Sequence, residues 1–540
     1  MLLKYFYSSL KKISKLFFLV FLLNFFNIQY SYTQSIDEAY ILYNEDNYAA
    51  ALKILVKLIK KDKDNLELNY KTGICYLKTN FNKADAVGYL ETALKDPKIS
   101  KKIHFELGEA YFHALQFDKA EAKYNEYLQI LKNEAGTPEE IKEVERFKEM
   151  CGNAKELMQH PIDVTFVNLG EGVNNKQDDY NPFITEEESV LIYTSLKKYD
   201  PEFQLFVKNV FINDQVKNGL TKSKSAGSKV NSDEDATVVG LSKDGKTILL
   251  YVDRYNAYHD IYFSKWNGKR YDLAVDAGKP INGEKSIEMG ACLSANNDTI
   301  YFSSDRKGGL GGMDIYYSIA LPDGTWSEPQ NIGIPINTPY DDNYPNISFD
   351  GKTMYFASKG FNSMGGYDIF ISKYDNNLKE WETPQNIGYP INNTYDNKTI
   401  SYTGSRRYAY VSEVRSDGYG AMDIYKVIFN TIAANAIAIA GKIAVGDTLN
   451  SIPLSVVDNE ITISVYKKGE TDLYGRYLVN KTNGKYVIAL YPGTYDLVIE
   501  GTAYITYKKE ITIKEEYYNE SVISRNIWLK KKTQNTNPRK

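Results

Sequence analysis

The chain writes one passage twice. "GGMDIYYSIALPDGTWSEPQNIGIPIN" begins at Gly311, and "GGYDIFISKYDNNLKEWETPQNIGYPIN" begins at Gly365. Repetition of this length makes each copy one supersecondary unit that cannot bury its apolar face alone and must stack on its neighbours. The central element recurs more widely: "HDIYFS" around Asp260, "MDIYYS" around Asp314, "YDIFIS" around Asp368 and "MDIYKV" around Asp423, at spacings of 54, 54 and 55 residues. A degenerate fifth copy, "FQLFVKNV", starts at Phe203. Alternating strands precede each one, as in "KTILLYVD", "DTIYFSS" and "KTMYFAS". Asp-Gly turns such as "SKDGK" and "SFDGK" stand before those strands and supply the positive φ of a tight hairpin. Roughly four short strands per unit predict a propeller blade, and five such units over residues 161–430 predict a five-bladed β-propeller. The last unit has no outer strand like "WSEPQNIG" (Trp326). "IDVTFVNLG" (Ile162 to Gly170) resembles that missing strand and is expected to pair beside Met422 to Phe429, sealing the ring.

The flanking regions carry other periods. Over residues 34–160, "NYAAALKILVKLI", "NFNKADAVGYLETAL" and "QFDKAEAKYNEYLQI" set an aromatic (Tyr48, Phe81, Phe117) three residues before an Ala (Ala51, Ala84, Ala120). Their spacings of 33 and 36 bracket a 34-residue helical repeat. Gly73 and Gly108 sit one helix earlier, where close packing leaves no room for a side chain. Such a stack serves equally as a prop for the next domain or as a concave peptide-binding groove. Residues 431–530 alternate as strands broken by Gly, Asn and Pro, the pattern of a small antiparallel sandwich, and 531–540 form a polar, basic tail.

Lys4, Lys11, Lys12 and Lys15 precede the apolar run Leu16 to Phe26, which is shorter than the roughly 20 residues a membrane span needs. Small residues Ser31 and Thr33 follow, so residues 1–33 read as a cleaved secretory signal, with no transmembrane span after cleavage. Cys75, Cys151 and Cys292 are odd in number and widely separated, which fits buried small hydrophobes better than a disulfide framework or a metal site. A net charge of −4 argues against a nucleic-acid partner held by a basic field.

Catalysis has little to work with: four His, none in a His-Glu-x-x-His context, and no Gly-x-Ser-x-Gly. His259 reads as a surface residue. The glycines of "RKGGLGGMD" lead into a strand instead of opening a helix, so they do not make a phosphate loop. No enzyme, cofactor or metal is expected. Two acidic series stand out. Asp260, Asp314, Asp368 and Asp423 each start a strand after a tight loop, where a carboxylate accepts backbone amides and fixes the turn. Asp179, Asp235, Glu288, Asp342 and Asp396 lie in the loops before the innermost strands. They form either a negative collar at the propeller mouth, fit for a basic peptide or a cation, or a set of solvated Asx turns.

The unit "PINTPYDDNYPNISFDGKTMYFASKGFNSMGGYDIFIS" resembles the WD40-like repeat of TolB-type propellers. The helical pattern resembles tetratricopeptide repeats, and "NGKYVIALYPGTYDLVIEG" resembles the carboxypeptidase regulatory-like, transthyretin-type sandwich. Their order is similar to envelope proteins of the OmpA family, including the peptidoglycan-associated component of type IX secretion. The resemblance implies a non-enzymatic scaffold of the periplasm, associated with the outer membrane through envelope or secretion-complex partners. The OmpA-like domain that ends that family is replaced here by the short basic tail, so cell-wall anchoring does not carry over. The rival reading is a soluble receptor for a peptide or glycan at the propeller mouth.

Overall fold

A computed structural model describes residues 35–200, 205–214, 216, 222–231, 235–253, 259–433, 436–446, 452–453, 461–480, 482–514 and 522–532. The expected signal segment, Phe203 and nearly all of the basic tail lie outside the described residues.

Helices come first: α1 (residues 35–44), α2 (Tyr48–Ile59), α3 (Leu66–Leu77), α4 (Ala86–Ala93), α5 (Ile103–His113), α6 (Phe117–Asn133) and α7 (Pro138–Gln159). Their starts are written locally. Asn47 and Asn65 accept amides at the heads of α2 and α3, and Thr137 and Glu140 make a reciprocal capping box in front of α7, with Pro138 as its first residue. A Cβ on Gly73 would lie 2.6 Å from Leu90, and one on Gly108 would lie 2.4 Å from the Tyr124 ring. Both glycines let neighbouring helices close up. Ala51 and Ala120 are buried, but Ala84 falls in a 3₁₀ turn (Lys83–Asp85) and Ala86 takes the buried place, because the tighter turn starts the helix two residues later.

Five antiparallel sheets follow. The first joins β2 (Asp179–Ile184), β3 (Leu191–Asp200), β4 (Leu205–Asn213) and β5 (Lys224–Ser225); the second joins β6 (Asp235–Leu241), β7 (Thr247–Asp253), β8 (Asp260–Lys265) and β9 (Val275–Asp276). The third holds β10 (Glu288–Leu293), β11 (Thr299–Ser304), β12 (Asp314–Ile319) and β13 (Gln330–Asn331). The fourth holds β14 (Asp342–Ile347), β15 (Thr353–Ser358), β16 (Asp368–Asp375), β17 (Glu380–Trp381) and β18 (Gln385–Asn386). In the fifth, β19 (Ile400–Tyr402), β20 (Tyr408–Glu413) and β21 (Asp423–Phe429) are completed by β1 (Val164–Asn168), which precedes all the rest in sequence. The register runs from Val164 opposite Phe429 to Asn168 opposite Tyr425, the pairing expected of that segment.

The sheets form a closed, propeller-like ring, joined by bonds between neighbouring inner edges. Asn181 of the first donates to the Val238 carbonyl of the second, Ser303 of the third bonds Asn343 of the fourth, and Asn346 of the fourth donates to the Ile400 carbonyl of the fifth. The amide of Ile184 donates to Ser401, which returns the circuit to the first sheet. Between the second and third sheets, Gly240 lies so near the Ala291 carbonyl that a Cβ would sit 2.4 Å from it.

The C-terminal region packs two sheets over one apolar core that includes Ile439, Ile488, Val465 and Leu497. One departs from the expected antiparallel pattern. Residues Ile527–Leu529 run parallel to β22 (Ile437–Val445), because the chain returns along the same direction after crossing the other sheet. Cys75, Cys151 and Cys292 are all buried and unpaired. No helix among the described residues is long and apolar enough to cross a membrane.

Candidate functional site

The repeated passage is explained first by a bonding circuit. Asn174, Asn231, Asn282, Asn337 and Asn392 occupy one position in the five units. Each accepts the amide and donates to the carbonyl of a single residue on a neighbouring strand: Ile424, Val210, Ile261, Ile315 and Ile369, at 2.7 to 3.0 Å. The side-chain oxygen supplies the partner that the N–H lacks, while the side-chain nitrogen seconds a backbone amide that the carbonyl already accepts. In "QNIG", Asn331 and Asn386 accept the Gly333 and Gly388 amides and bond Asn337 and Asn392. This network was not read from the sequence, although the "IN" or "VN" pair marks it in every unit.

Asp314 accepts the amides of Leu310 and Gly311 together with Asn331; Asp368 accepts those of Met364 and Gly365 with Asn386; Asp423 accepts those of Tyr419 and Gly420 with Asn168. The glycine-rich loop therefore spends its amides on its own aspartate. Gly311, Gly365 and Gly420 press against the loop of the next unit, with a Cβ placed 1.9, 2.3 and 2.4 Å from backbone carbonyls. Asp260 starts β8 at the same place, half-buried. His259 is not a surface residue: it is half-buried and its ring stacks on Tyr251 at 5.1 Å.

The second acidic series does not make an exposed collar. Asp179, Glu288 and Asp342 are fully buried. Asp179 accepts from Asn175, and Asp342 accepts from Thr338 and Ser358; Glu288 accepts from Gly283, Ser286, Ser304 and Arg306. Burial pushes the Asp179 carboxyl up to about 6 and that of Asp342 to about 7, against the pull of those hydrogen bonds. Asp235 accepts the Lys208 amide and is half-exposed. Asp396 belongs to a different register. Its counterparts are Asp178 and Asp341, and all three reach across to the preceding unit, accepting the amides of Tyr367, Met422 and Met313. The position equivalent to Asp342 is Asn397, whose acid has moved to the facing strand as Glu413. The doubled "DD" of two units conceals this one-residue offset.

The offset matters because Asp178 and Asp396 face the ring axis. There they line a cavity of about 410 Å³ with Lys398, Tyr180, Tyr344 and Met289. Asn181 and Tyr344 take equivalent bulge positions with φ of 52° and 51°, a left-handed conformation that costs a tyrosine energy and aims the strand edge at the axis. Lys398 pairs with Asp396 at 3.2 Å. Burial opposes the Asp396 charge, but Lys398, the Tyr367 amide and Lys83 outweigh it and hold the carboxyl below its usual range.

The helices close this mouth. Asn80 donates to Asp178 at 3.2 Å, and the Lys83 amide donates to the Tyr395 hydroxyl at 3.1 Å. The His113 ring lies 5.0 Å from that of Tyr395 and bonds Thr394. Arg146 of α7 donates to the carbonyls of Lys359, Gly360 and Phe361 while its guanidinium stacks 4.9 Å from the Tyr340 ring. Asn153 bonds the Ser363 carbonyl, and Met364 from the ring is buried in the helical core. Tyr340 and Tyr395 are the same residue of two successive units. The duplicated loop thus supplies two equivalent posts for two different helices. Burial, reinforced by Lys83, keeps His113 neutral by pushing its pKa well below the usual value; burial pushes the Glu109 carboxyl up to about 7.

The inner strands end at a second mouth on the opposite side. It is floored by Leu241, Leu293, Ile347 and Tyr402 and edged by the ion pairs Lys243–Glu186 and Arg406–Asp350. No group of three or more His, Cys, Asp or Glu among the described residues is placed to hold a metal ion.

No protein-family model and no curated protein sequence matches the chain. Among solved structures, TolB from Acinetobacter baumannii is 13% identical over 53% of this chain and 69% of its own, with a TM-score of 0.30. A TolB relative from Agrobacterium tumefaciens is 16% identical over 47% of this chain and 77% of its own, TM-score 0.30. An α-L-arabinofuranosidase from Lactobacillus brevis is 12% identical over 50% and 93%, TM-score 0.32. Scores this low carry no argument about function. The ring is defined by its own strand pairing.

Proposed function

We propose that this chain is a non-enzymatic scaffold of the periplasm, held at the outer membrane through protein partners, with a type IX secretion or gliding assembly as its setting. Its parts are read as tetratricopeptide-type helical repeats, a five-bladed TolB-type propeller and a carboxypeptidase regulatory-like sandwich of transthyretin type. One observation carries the reading: the helical region is clamped on the ring by Asn80, His113, Arg146 and Asn153, so the exposed faces of the two parts are held in a fixed relation. Fixed geometry between surfaces is what an assembly scaffold needs, and the duplicated Tyr340 and Tyr395 loops serve that clamp. Crosslinking in intact cells, followed by mass spectrometry, tests it. Recovery of outer-membrane or secretion proteins, lost when the helical region is deleted, supports the scaffold; recovery of no envelope protein removes it.

The receptor reading keeps a foothold at the opposite mouth alone, since the helices occupy the other. Its ligand would be a peptide or glycan contacting the Lys243 and Arg406 rim. Charge reversal of these two residues should then abolish binding, whereas neutralising buried Asp179, Glu288 and Asp342 would weaken the ring itself.

A further inference from the structure

A groove of about 590 Å³ lies between the first and second sheets, at their outer margin. Ile212 and Ala226 of one sheet and Tyr271 of the other floor it, and Trp266 stands as a wall with 41% of its surface exposed. The wall is rigid. Trp266 and Tyr271 pair across a hairpin whose turn is fixed by Asn267, which accepts the amides of Lys269 and Arg270 at 3.0 and 3.1 Å. The Tyr271 hydroxyl donates to the Gly245 carbonyl, and its ring meets the indole edge to face at 5.1 Å. A pre-ordered aromatic wall saves the cost of freezing it on binding.

The charge of the groove opposes that of the chain. Four cations, Lys224, Lys246, Lys269 and Arg270, line it against two carboxylates, Asp214 and Asp244, in a protein whose net charge is −4. Two cations are paired with these carboxylates at 3.5 and 3.6 Å, in exposed contacts that contribute little. Lys269 and Arg270 have no ion-pair partner among the described residues and project from the hairpin tip beside the indole. The groove is thus net positive, and a net charge in a cleft concentrates ligands of the opposite sign.

We infer that this groove binds an acidic oligosaccharide, with one sugar ring stacked on Trp266 and its carboxylates held by Lys269 and Arg270. The C–H face of a pyranose packs on an indole, and an open groove admits a chain. A single-stranded nucleic acid would call for successive aromatic platforms along a basic track. Here one aromatic face is exposed.

The test uses the full chain and trigalacturonate, read by tryptophan fluorescence and by calorimetry, with the methyl-esterified trimer and a short oligodeoxynucleotide as comparisons. Trigalacturonate should bind at least ten times more tightly than its neutral ester, and more weakly as salt rises. The double substitution K269E/R270E, which alters only exposed side chains, should weaken binding at least tenfold without changing the circular dichroism. Trp266→Ala should do the same, and should remove the fluorescence change. Absence of binding by the native chain, equal affinity for acid and ester, unchanged affinity in K269E/R270E, or tighter binding of the oligodeoxynucleotide would each overturn the assignment.

Discussion

A single side chain, Asn337, shows how this ring is held. Its amide oxygen satisfies the buried N–H of Ile315, and its amide nitrogen adds a second donor to the Ile315 C=O, which also accepts the Ile332 amide. Asn337→Ala would orphan the N–H while the C=O keeps the Ile332 amide, and one buried, unpaired group costs about 1–3 kcal/mol, so a loss of that size in urea unfolding is expected. A change below about 0.5 kcal/mol would refute the role. The buried acids make a second residue-scale prediction. Burial pushes Asp179 up to about 6, Asp342 and Asp368 to about 7, and Glu413 to about 8. Unfolded carboxyls titrate near pH 4, so these groups bind protons more readily in the fold. Their contribution is full below about pH 4 and is lost as pH rises through 6 to 8. Asp298 and Asp323, held low by hydrogen bonds from Ser294 and Thr325, have the opposite sign and lose their contribution in acid. A Tm maximum near pH 5, falling by roughly 5 °C or more by pH 8.5, should appear in calorimetry. A Tm that climbs steadily from pH 5 to pH 8.5 would contradict it.

Strand β1 is the element on which closure depends, and it was legible because a strand pattern stood before the first unit and was missing from the last. Phe166 on that strand packs edge-on against Tyr425, with the Arg415 guanidinium 4.0 Å from its ring. Phe166→Ala should cost about 2–4 kcal/mol and loosen the edge of the fifth sheet. Since an open edge pairs with other chains, the variant should also raise light scattering on warming. Retention of native stability and monodispersity would show that closure rests elsewhere. Other elements were legible for similar reasons. The strands follow from alternation and Asp-Gly turns, and the helix stack from Gly73 and Gly108 set opposite bulky partners. The Asn series went unread because an asparagine before a strand reads as an ordinary turn residue, and its bidentate bond appears only when a distant strand is in place. The acidic collar failed for a related reason. Spacing located the loops, but it did not distinguish an acid turned into the loop, such as Asp342, from one turned to the axis, such as Asp396.

At the scale of the whole molecule, the least legible feature is the one with most bearing on function: the helices sit on one mouth of the ring. Its contacts link residues from about 100 positions apart, as Asn80 to Asp178, to more than 200, as Arg146 to Lys359–Phe361 and Asn153 to Ser363, and no local pattern announces them. Arg146 concentrates the effect. One guanidinium bonds three loop carbonyls and covers the Tyr340 ring, so its loss takes the donor from Lys359 and Phe361, while Gly360 keeps Ser363. Arg146→Ala should weaken docking by about 2–4 kcal/mol, combining the lost charged hydrogen bonds with the stacking contribution. Hydrogen exchange on the full chain separates docking from folding. Amides at residues 338–342, 359–364 and 393–397 should exchange at least tenfold faster in the variant, and so should those at the end of α5. The C-terminal sandwich, which shares no contact with this clamp among the described residues, should keep native rates. Faster exchange throughout the ring would mean that Arg146 supports the loop's own fold, and unchanged exchange would mean that the clamp does not depend on it. The selective result would make the axial cavity a chamber whose opening is governed by the helices, linking whatever binds them to access at the ring's axis.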